Sequence, residues 1–517
     1  MLISDILWHN AACRPGKIAV IAGDRRLSFA ALAERTARFA NALKGLGIES
    51  GDRVAVLASN TAEHVEIVLG IAAADAIWVP LNIRLAPPEL AALIADCEAR
   101  AIVYTPDLAA AVESLRERVP QDAVWIGVGE GGTAGDHSYE RLLSAASATK
   151  PAAEIADDAL FSIMYTSGTT GLPKGAALSH RAFFIGTILS TLALGASEDD
   201  VKLQAIPQFH AGGQIYQLAH LAAGAAIVVL PRFDPDLVFH LIAREGVTAA
   251  GFVPSMLTAL VESPGARTTD FRRLRRIMYG GSSITADRLV RAMELMPAAF
   301  LQTYGLTEAG VLATVLDAAD HEYGRREDPR VLRSCGRAML GYRVRVADDD
   351  GRAVETGAIG EIAIRSDSLM AGYWRRPEAS AETLADGWLK TGDLAWQDES
   401  GRFYVVDRKK DMIVSGGENV YPAEVESVIS AHPDVLDVAV IGVPDARWGE
   451  AVKALVVCRP GAAPAAEALI AACRGKLGGF KLPKSVEFVA SLPRNVSGKL
   501  LKSRLRAPYW AGRDGMI

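Results

Sequence analysis

The stretch Tyr165-Thr166-Ser167-Gly168-Thr169-Thr170-Gly171-Leu172-Pro173-Lys174-Gly175 concentrates hydroxyls, glycines and a single lysine. Glycines let backbone N–H groups approach an anion closely, hydroxyls donate further hydrogen bonds, and Lys174 adds positive charge. This chemistry suits a polyphosphate. A Walker A loop does not fit: counting from Gly168, the place of that motif's second glycine is held by Pro173, and Lys174 precedes Gly175 rather than Ser or Thr. A second string, Gln302-Thr303-Tyr304-Gly305-Leu306-Thr307-Glu308, follows an apparent strand. Loops at the carboxyl ends of strands are where α/β sheets place ligands. Its aromatic face, hydroxyls and carboxylate suit adenine, phosphate oxygens and a hard cation. In Thr391-Gly392-Asp393, the aspartate can accept hydrogen bonds from both hydroxyls of a ribose.

Three further strings carry reactive types in short polar settings. They are Pro207-Gln208-Phe209-His210-Ala211-Gly212-Gly213, Gly280-Gly281-Ser282-Ser283-Ile284 and Arg494-Asn495-Val496-Ser497-Gly498-Lys499-Leu500. Any one alone would read as a turn or a packed loop. Together, and in this order, the strings resemble the signatures of the adenylate-forming superfamily: acyl-CoA synthetases, peptide-synthetase adenylation domains and luciferases.

The resemblance implies an ATP site built from Thr166, Ser167, Gly168, Thr169, Thr170, Gly171 and Lys174, with Gly281 and Ser282 beside it. It places Tyr304 on adenine, Thr303, Gly305 and Thr307 against AMP, Asp393 on the ribose, Arg408 as a second nucleotide contact and Glu308 on Mg²⁺. It makes Lys499 the catalytic cation that bridges the substrate carboxylate and the α-phosphate, and His210 an aromatic gate beside the reacting carboxylate. Ala211, Gly212, Gly213, Val253, Gly280 and Gly281 would line the acyl pocket. Amino-acid-activating relatives carry an Asp where this chain has Ala211, so an α-amino acid is disfavoured: its buried ammonium would have no partner. Many relatives have Ala-Pro where this chain has Ser282-Ser283, a departure that leaves the polarity of the pocket there open. Ser415, Gly416, Gly417, Phe480 and Lys481 match segments that line a CoA channel, and Lys410 matches a hinge.

The implied activity is that of an AMP-forming acid–CoA ligase using ATP, Mg²⁺ and CoA. Its acid would be an aryl or cinnamate-type acid, or a medium-to-long-chain fatty acid. The alternative is a stand-alone adenylation enzyme that loads an acyl carrier protein. A luciferase-like oxygenase shares the motifs. A non-enzymatic nucleotide-binding module would be expected to lose its charged groups, whereas Lys499, Glu308 and Asp393 are all present.

The elements that must position these residues follow an α/β pattern. Residues 17–22 read as a strand, and Ser28 as the N-cap of an amphipathic helix to Lys44 that Gly45 would stop. Residues 52–58 and 77–80 read as strands around a helix over 62–74. Such β-α-β organisation predicts parallel sheet. Residues 160–164, 225–230, 248–253, 276–279 and 300–303 read as buried strands, and 130–150 as a surface excursion. After Leu340, short strands over 342–347, 361–366 and 403–406 predict a small antiparallel subdomain. The charged run Asp407-Arg408-Lys409-Lys410-Asp411 marks a boundary. Beyond it, helices over 422–430 and 465–477 and strands over 438–441, 454–457 and 486–488 form an α+β module. The expected fold is therefore α/β: a large N-terminal domain, residues 1–409, with mainly parallel sheets and a small β subdomain, then a small mobile C-terminal domain, residues 410–517.

Composition sets bounds on partners. At 517 residues, more than one core is expected. A net charge of −6 without a polybasic tail argues against nucleic acid, and the cluster Arg272, Arg273, Arg275, Arg276 reads as a solvated edge. Five scattered cysteines without metal-ligand spacing suit reduced thiols in a cytoplasmic setting. No apolar run reaches membrane-spanning length, and the N-terminus lacks signal-peptide character. Partners would be small molecules, with room for a homodimer.

Overall fold

The parallel strands expected from buried apolar runs form, and they assemble into two large mixed sheets. The structure, a computed structural model, describes all residues except 120–121, 130–135, 153, 167–172, 283, 416–417, 446–447, 475, 478, 495–499 and 512–517; at 410, 414, 418, 419 and 449 only the backbone is described. In the first sheet, Ala299–Tyr304, Arg276–Gly280, Ala249–Phe252, Val201–Gln204, Ala226–Val229 and Ile18–Ala22 run side by side and parallel. Antiparallel strands close both ends. In the second, Leu160–Thr166, Ile77–Pro80, Arg53–Leu57, Ala99–Tyr104 and Val124–Gly127 are parallel, and Lys174–Ser179 pairs antiparallel with Leu160–Thr166.

Helices fill the space between these sheets. Ala62–Ala73 is apolar apart from Glu63, at its first turn and paired with Arg25, and buried His64 and Glu66, as a helix covered on nearly every side must be. Gly70 lets it meet Phe29–Gly45: a Cβ there would lie 2.7 Å from Phe39. Ser28 caps that second helix, accepting from Ala31 N, as its type predicts. Gly45 does not stop it; the helix runs through Gly45, and Gly47 at φ +79° takes the left-handed position beyond.

Three other expectations are corrected. Residues 137–145 are no loose excursion: Ser138 caps the helix Tyr139–Ala145, and fully buried Tyr139 donates to Glu66 Oε2 at 2.9 Å. The arginine cluster is only partly solvated, because Arg275 and Arg276 both pair with buried Asp200. The second helix of the C-terminal module is shorter than expected, Ala466–Cys473.

The small antiparallel sheet is built from Arg343–Ala347, Gly360–Arg365, Leu384–Ala385, Trp388–Gln397 and Phe403–Arg408. The C-terminal module packs a sheet around Val435–Asp445 and Gly449–Cys458 against Pro422–Ser430 and Ala466–Cys473, with its own apolar core. A final helix, Lys502–Trp510, packs against Val435–Asp445 and had no expectation in the sequence: its mean apolarity is low, and Pro508 sits inside it.

Candidate active site

The sequence strings converge on one cavity of about 2320 Å³. On one wall, the two strands that bracket residues 167–172 end in Thr166 and Lys174, which face each other in register. The signature string thus joins two antiparallel strands rather than a strand and a helix. Its central members Ser167, Gly168, Thr169, Thr170 and Gly171 lie outside the described residues. Thr166 and Lys174 both line the cavity.

Glu308 stands next to them. It is 8% exposed, and its Oε1 accepts from Thr166 Oγ1 at 3.1 Å and from Tyr373 Oη at 3.0 Å. Its second carboxylate oxygen has no partner among the described residues. Lys174 Nζ lies 5.1 Å from the centre of the Tyr373 ring, so one tyrosine orients both charged groups. Burial first, and then the Glu308 charge, push the Tyr373 phenol well above its ordinary value, which keeps it a donor. Tyr373 escaped the sequence reasoning; it lies 65 residues from Glu308, and only the pairing of Gly372–Tyr373 with Lys174–Ser179 brings it there.

The small-residue side is built by the helix Ala211–Ala222. His210 is its N-cap, and His210, Ala211 and Gly212 line the cavity with Val253, Gly280 and Gly281. A Cβ at Gly212 would meet nothing within 4 Å, whereas one at Gly280 would lie 2.4 Å from the Thr303 carbonyl oxygen. Gly280 therefore permits close strand packing as well as an open wall. Gly213 does not line the cavity: its Cβ would lie 2.1 Å from the Pro207 carbonyl oxygen, so it is a packing glycine. Burial, aided by the charge of Arg84, depresses the His210 ring to about 4. Its Nε2 is buried without a hydrogen-bond partner among the described residues. A neutral ring with one unpaired nitrogen thus faces the space beside Gly212.

Thr303, Gly305 and Thr307 line the same cavity, but Ser282 does not. Tyr304 and Asp393 sit just behind the wall rather than on it. Asp393 is 4% exposed, with Oδ1 2.5 Å from Arg408 Nε and Oδ2 accepting from Tyr304 Oη at 2.7 Å. The strand pair Trp388–Gln397 and Phe403–Arg408 sets this contact by placing Asp393 opposite Arg408. Three residues assigned to the nucleotide are therefore coupled to one another, and Arg408 alone of the three lines the cavity.

Residues 7–374 match the family model described as AMP-binding enzyme, and residues 424–499 match the one described as AMP-binding enzyme C-terminal domain. The chain is an AMP-binding enzyme by family. It is 39% identical over 506 residues to a feruloyl-CoA synthase of Amycolatopsis sp, covering 97% of this chain and 98% of the relative. It is 37% identical over 514 residues to the fatty acid–[acyl-carrier-protein] ligase ScoC of Streptomyces coeruleorubidus, covering 98% and 96%. Among solved structures, ATP-bound MatB from Rhodopseudomonas palustris superimposes with a TM-score of 0.89 at 33% identity, covering 99% of each chain.

In this AMP-binding enzyme the C-terminal module closes the cavity. Arg408, Lys409 and Asp411 from the charged run, Glu450, and residues 500–503 line it. Lys499 lies outside the described residues, while its neighbour Leu500 lines the cavity and bridges to Arg494. Lys410 belongs to the turn Lys409–Asp411 directly after the strand Phe403–Arg408, and its side chain is not described. The charged run is not a solvated turn. Asp407 is 9% exposed and accepts from Ala423 N at 2.9 Å, and Arg506 Nη2 donates to Asp411 Oδ1 at 2.8 Å.

Of the residues assigned to CoA, those described are not at the cavity in this arrangement. Ser415 is buried in the module, Phe480 is 40% exposed, and Lys481 pairs with Glu424 at 2.7 Å. Gly416 and Gly417 lie outside the described residues.

Proposed function

We propose that this AMP-binding enzyme is an ATP-dependent acid–CoA ligase that works through an acyl-adenylate. The observation that carries the reading is the single cavity, in which Thr166, Lys174 and Glu308 share walls with Gly212 and Val253 and with residues 500–503 of the C-terminal module. A polyphosphate and a carboxylic acid fit there together, and the volume exceeds what one drug-sized ligand needs.

In the first half-reaction a carboxylate oxygen attacks the α-phosphorus of ATP. The P–O bond to the β-phosphate breaks, and pyrophosphate leaves with the electron pair. Lys174 and the loop it closes hold phosphate oxygens. Lys499 takes up the negative charge that develops between carboxylate and α-phosphate; preorganised charge in a dry site contributes on the order of 3 kcal/mol to such a step. Neutral His210 packs beside the carboxylate without adding charge. Arg408, which lines the cavity and pairs with Asp393 behind it, meets the nucleotide, and Asp393 accepts from the ribose hydroxyls once that pair opens. In the second half-reaction the CoA sulfur attacks the acyl carbon and AMP departs.

The Glu308 carboxylate fits Mg²⁺. It reaches the cavity with one oxygen unpartnered among the described residues, and Mg²⁺ is commonly held by one or two carboxylates plus substrate phosphates. The cation would neutralise phosphate charge there. In this reading the module 410–517 turns about Lys410 between half-reactions to deliver CoA, and the position of Phe480 and Lys481 away from the cavity supports it. No described helix is long and apolar enough to cross a membrane; a cytoplasmic setting supplies both ATP and CoA.

The test is acid-dependent pyrophosphate release with ATP and Mg²⁺, screened over aryl, cinnamate-type, alkyl and α-amino acids, followed by thioester formation with CoA. Release with no acid at all, or with α-amino acids only, defeats the reading. The relationship to an acyl-carrier-protein ligase favours one second reading, in which the thiol belongs to a carrier protein. Holo-carrier protein acylated in preference to CoA would establish it.

A further inference from the structure

We infer that Tyr216 is the floor of the acyl pocket and makes this enzyme select short acids, of aryl, cinnamoyl or medium alkyl length, against long-chain fatty acids. The inference rests on the acid–CoA ligase reading above and narrows its substrate.

The cavity follows one face of the helix Ala211–Ala222. His210, Ala211 and Gly212 line it, Tyr216 lines it one turn deeper, and nothing beyond Tyr216 on that helix does. Tyr216 lies across the end of the space. Its hydroxyl is 2.7 Å from Thr303 Oγ1 on the opposite wall, and its ring covers Gly251, where a Cβ would lie 2.8 Å from Tyr216 Cδ2. Gly251 and Thr303 belong to strands on either side of Arg276–Gly280, so the side chain spans the strand that carries Gly280.

Past the ring there is no open space: Tyr216 belongs to an apolar core with Ile206, Met278 and Leu301, and buried polar groups stand near it. One turn on, His220 is fully buried and its Nδ1 is 2.7 Å from the Tyr216 carbonyl oxygen. Lys202 and Gln204, both fully buried on the adjacent strand, bond to each other, and Gln204 also donates to the Gly213 carbonyl oxygen. An alkyl chain pushed beyond Tyr216 would have to displace packed core side chains and buried polar contacts rather than enter a tunnel.

From His210 to Tyr216 the helix advances about 9 Å at ~1.5 Å per residue. A carbon chain advances about 1.3 Å per atom, given C–C bonds of ~1.5 Å, so the space ends after about seven carbons. An aryl or cinnamoyl group fills the same depth.

The experiment compares kcat/KM for pyrophosphate release with butyrate, octanoate, decanoate, hexadecanoate and cinnamate in the wild-type enzyme, Tyr216→Ala and Gly212→Leu. In the wild type, hexadecanoate should fall about tenfold or more below octanoate. Tyr216→Ala, which frees only the depth of one ring, should raise the decanoate-to-octanoate ratio by about tenfold. Gly212→Leu, whose added side chain starts in open space, should lower the cinnamate-to-butyrate ratio by a similar factor. Thermal melting checks that each variant is folded; should Tyr216→Ala fail that check, the wild-type series and Gly212→Leu decide the matter. Wild-type turnover of hexadecanoate equal to that of octanoate, or ratios unmoved in the folded variants, overturns the floor and leaves the ligase reading intact. Absence of turnover with every acid overturns the ligase reading, and the floor with it.

Discussion

Lys202 is the most exacting test of the physical account, because its contribution changes with pH in a calculable way. It is fully buried on the strand Val201–Gln204, and burial lowers its ammonium from 10.5 to about 7. The unfolded chain therefore binds more protons than the folded one between about pH 7 and 10.5, and stability must rise with pH across that window. At ~1.4 kcal/mol per pKa unit, the buried charge destabilises the fold by roughly 4 kcal/mol at pH 7 and roughly 2 kcal/mol at pH 9. Lys202→Met removes that penalty and fills similar volume. It also takes away the donor to Gln204 Oε1, whose loss costs about 1–3 kcal/mol, while Gln204 Nε2 keeps its bonds to the Ile206 and Gly213 carbonyl oxygens. The variant should therefore be more stable than the wild type by about 2 kcal/mol at pH 7, with the difference shrinking to near zero at pH 9. Urea denaturation followed by circular dichroism at both pH values measures it. A variant less stable at pH 7, or an advantage that does not shrink with pH, would refute the reasoning.

Lys499→Ala should reduce acid-dependent pyrophosphate release by about a hundredfold or more, yet convert synthetic acyl-adenylate and CoA to thioester at near wild-type rate; equal loss in both assays removes the lysine from the adenylation step. Lys410→Pro, which holds φ near about −65°, should keep adenylation and slow thioester formation from preformed adenylate by about tenfold or more. Unchanged single-turnover thioester kinetics would place the hinge elsewhere. The His210 ring, depressed by burial to about 4, should stay neutral above about pH 5, so kcat/KM for adenylation should show no titration attributable to it from pH 6 to 8. A wild-type step near pH 6.5 that vanishes in His210→Phe contradicts that assignment. The same depression means that stability should fall as pH drops through 6.5 toward 4, since the unfolded ring binds its proton first.

The sequence by itself determined the local elements and the chemistry of the strings. Buried strands such as Arg53–Leu57 and Arg276–Gly280 are apolar runs of strand length, and Pro422–Ser430 begins at a proline suited to a first helical turn. These signals are short-range, so one chain carries them openly. The nucleotide strings were legible for a related reason: phosphate, ribose and cation each require particular side-chain types close together. Only the tertiary structure decided which residues meet across long separations. Tyr373 beside Glu308 and Lys174, Tyr216 against Thr303, and Arg408 on Asp393 are set by strand pairing and helix packing, which leave no local pattern. It also separated Gly212, whose Cβ position is open, from Gly213, whose Cβ would strike a carbonyl oxygen. Adjacent glycines are identical as letters; which one faces the substrate depends on the turn of a helix and on the backbone packed behind it.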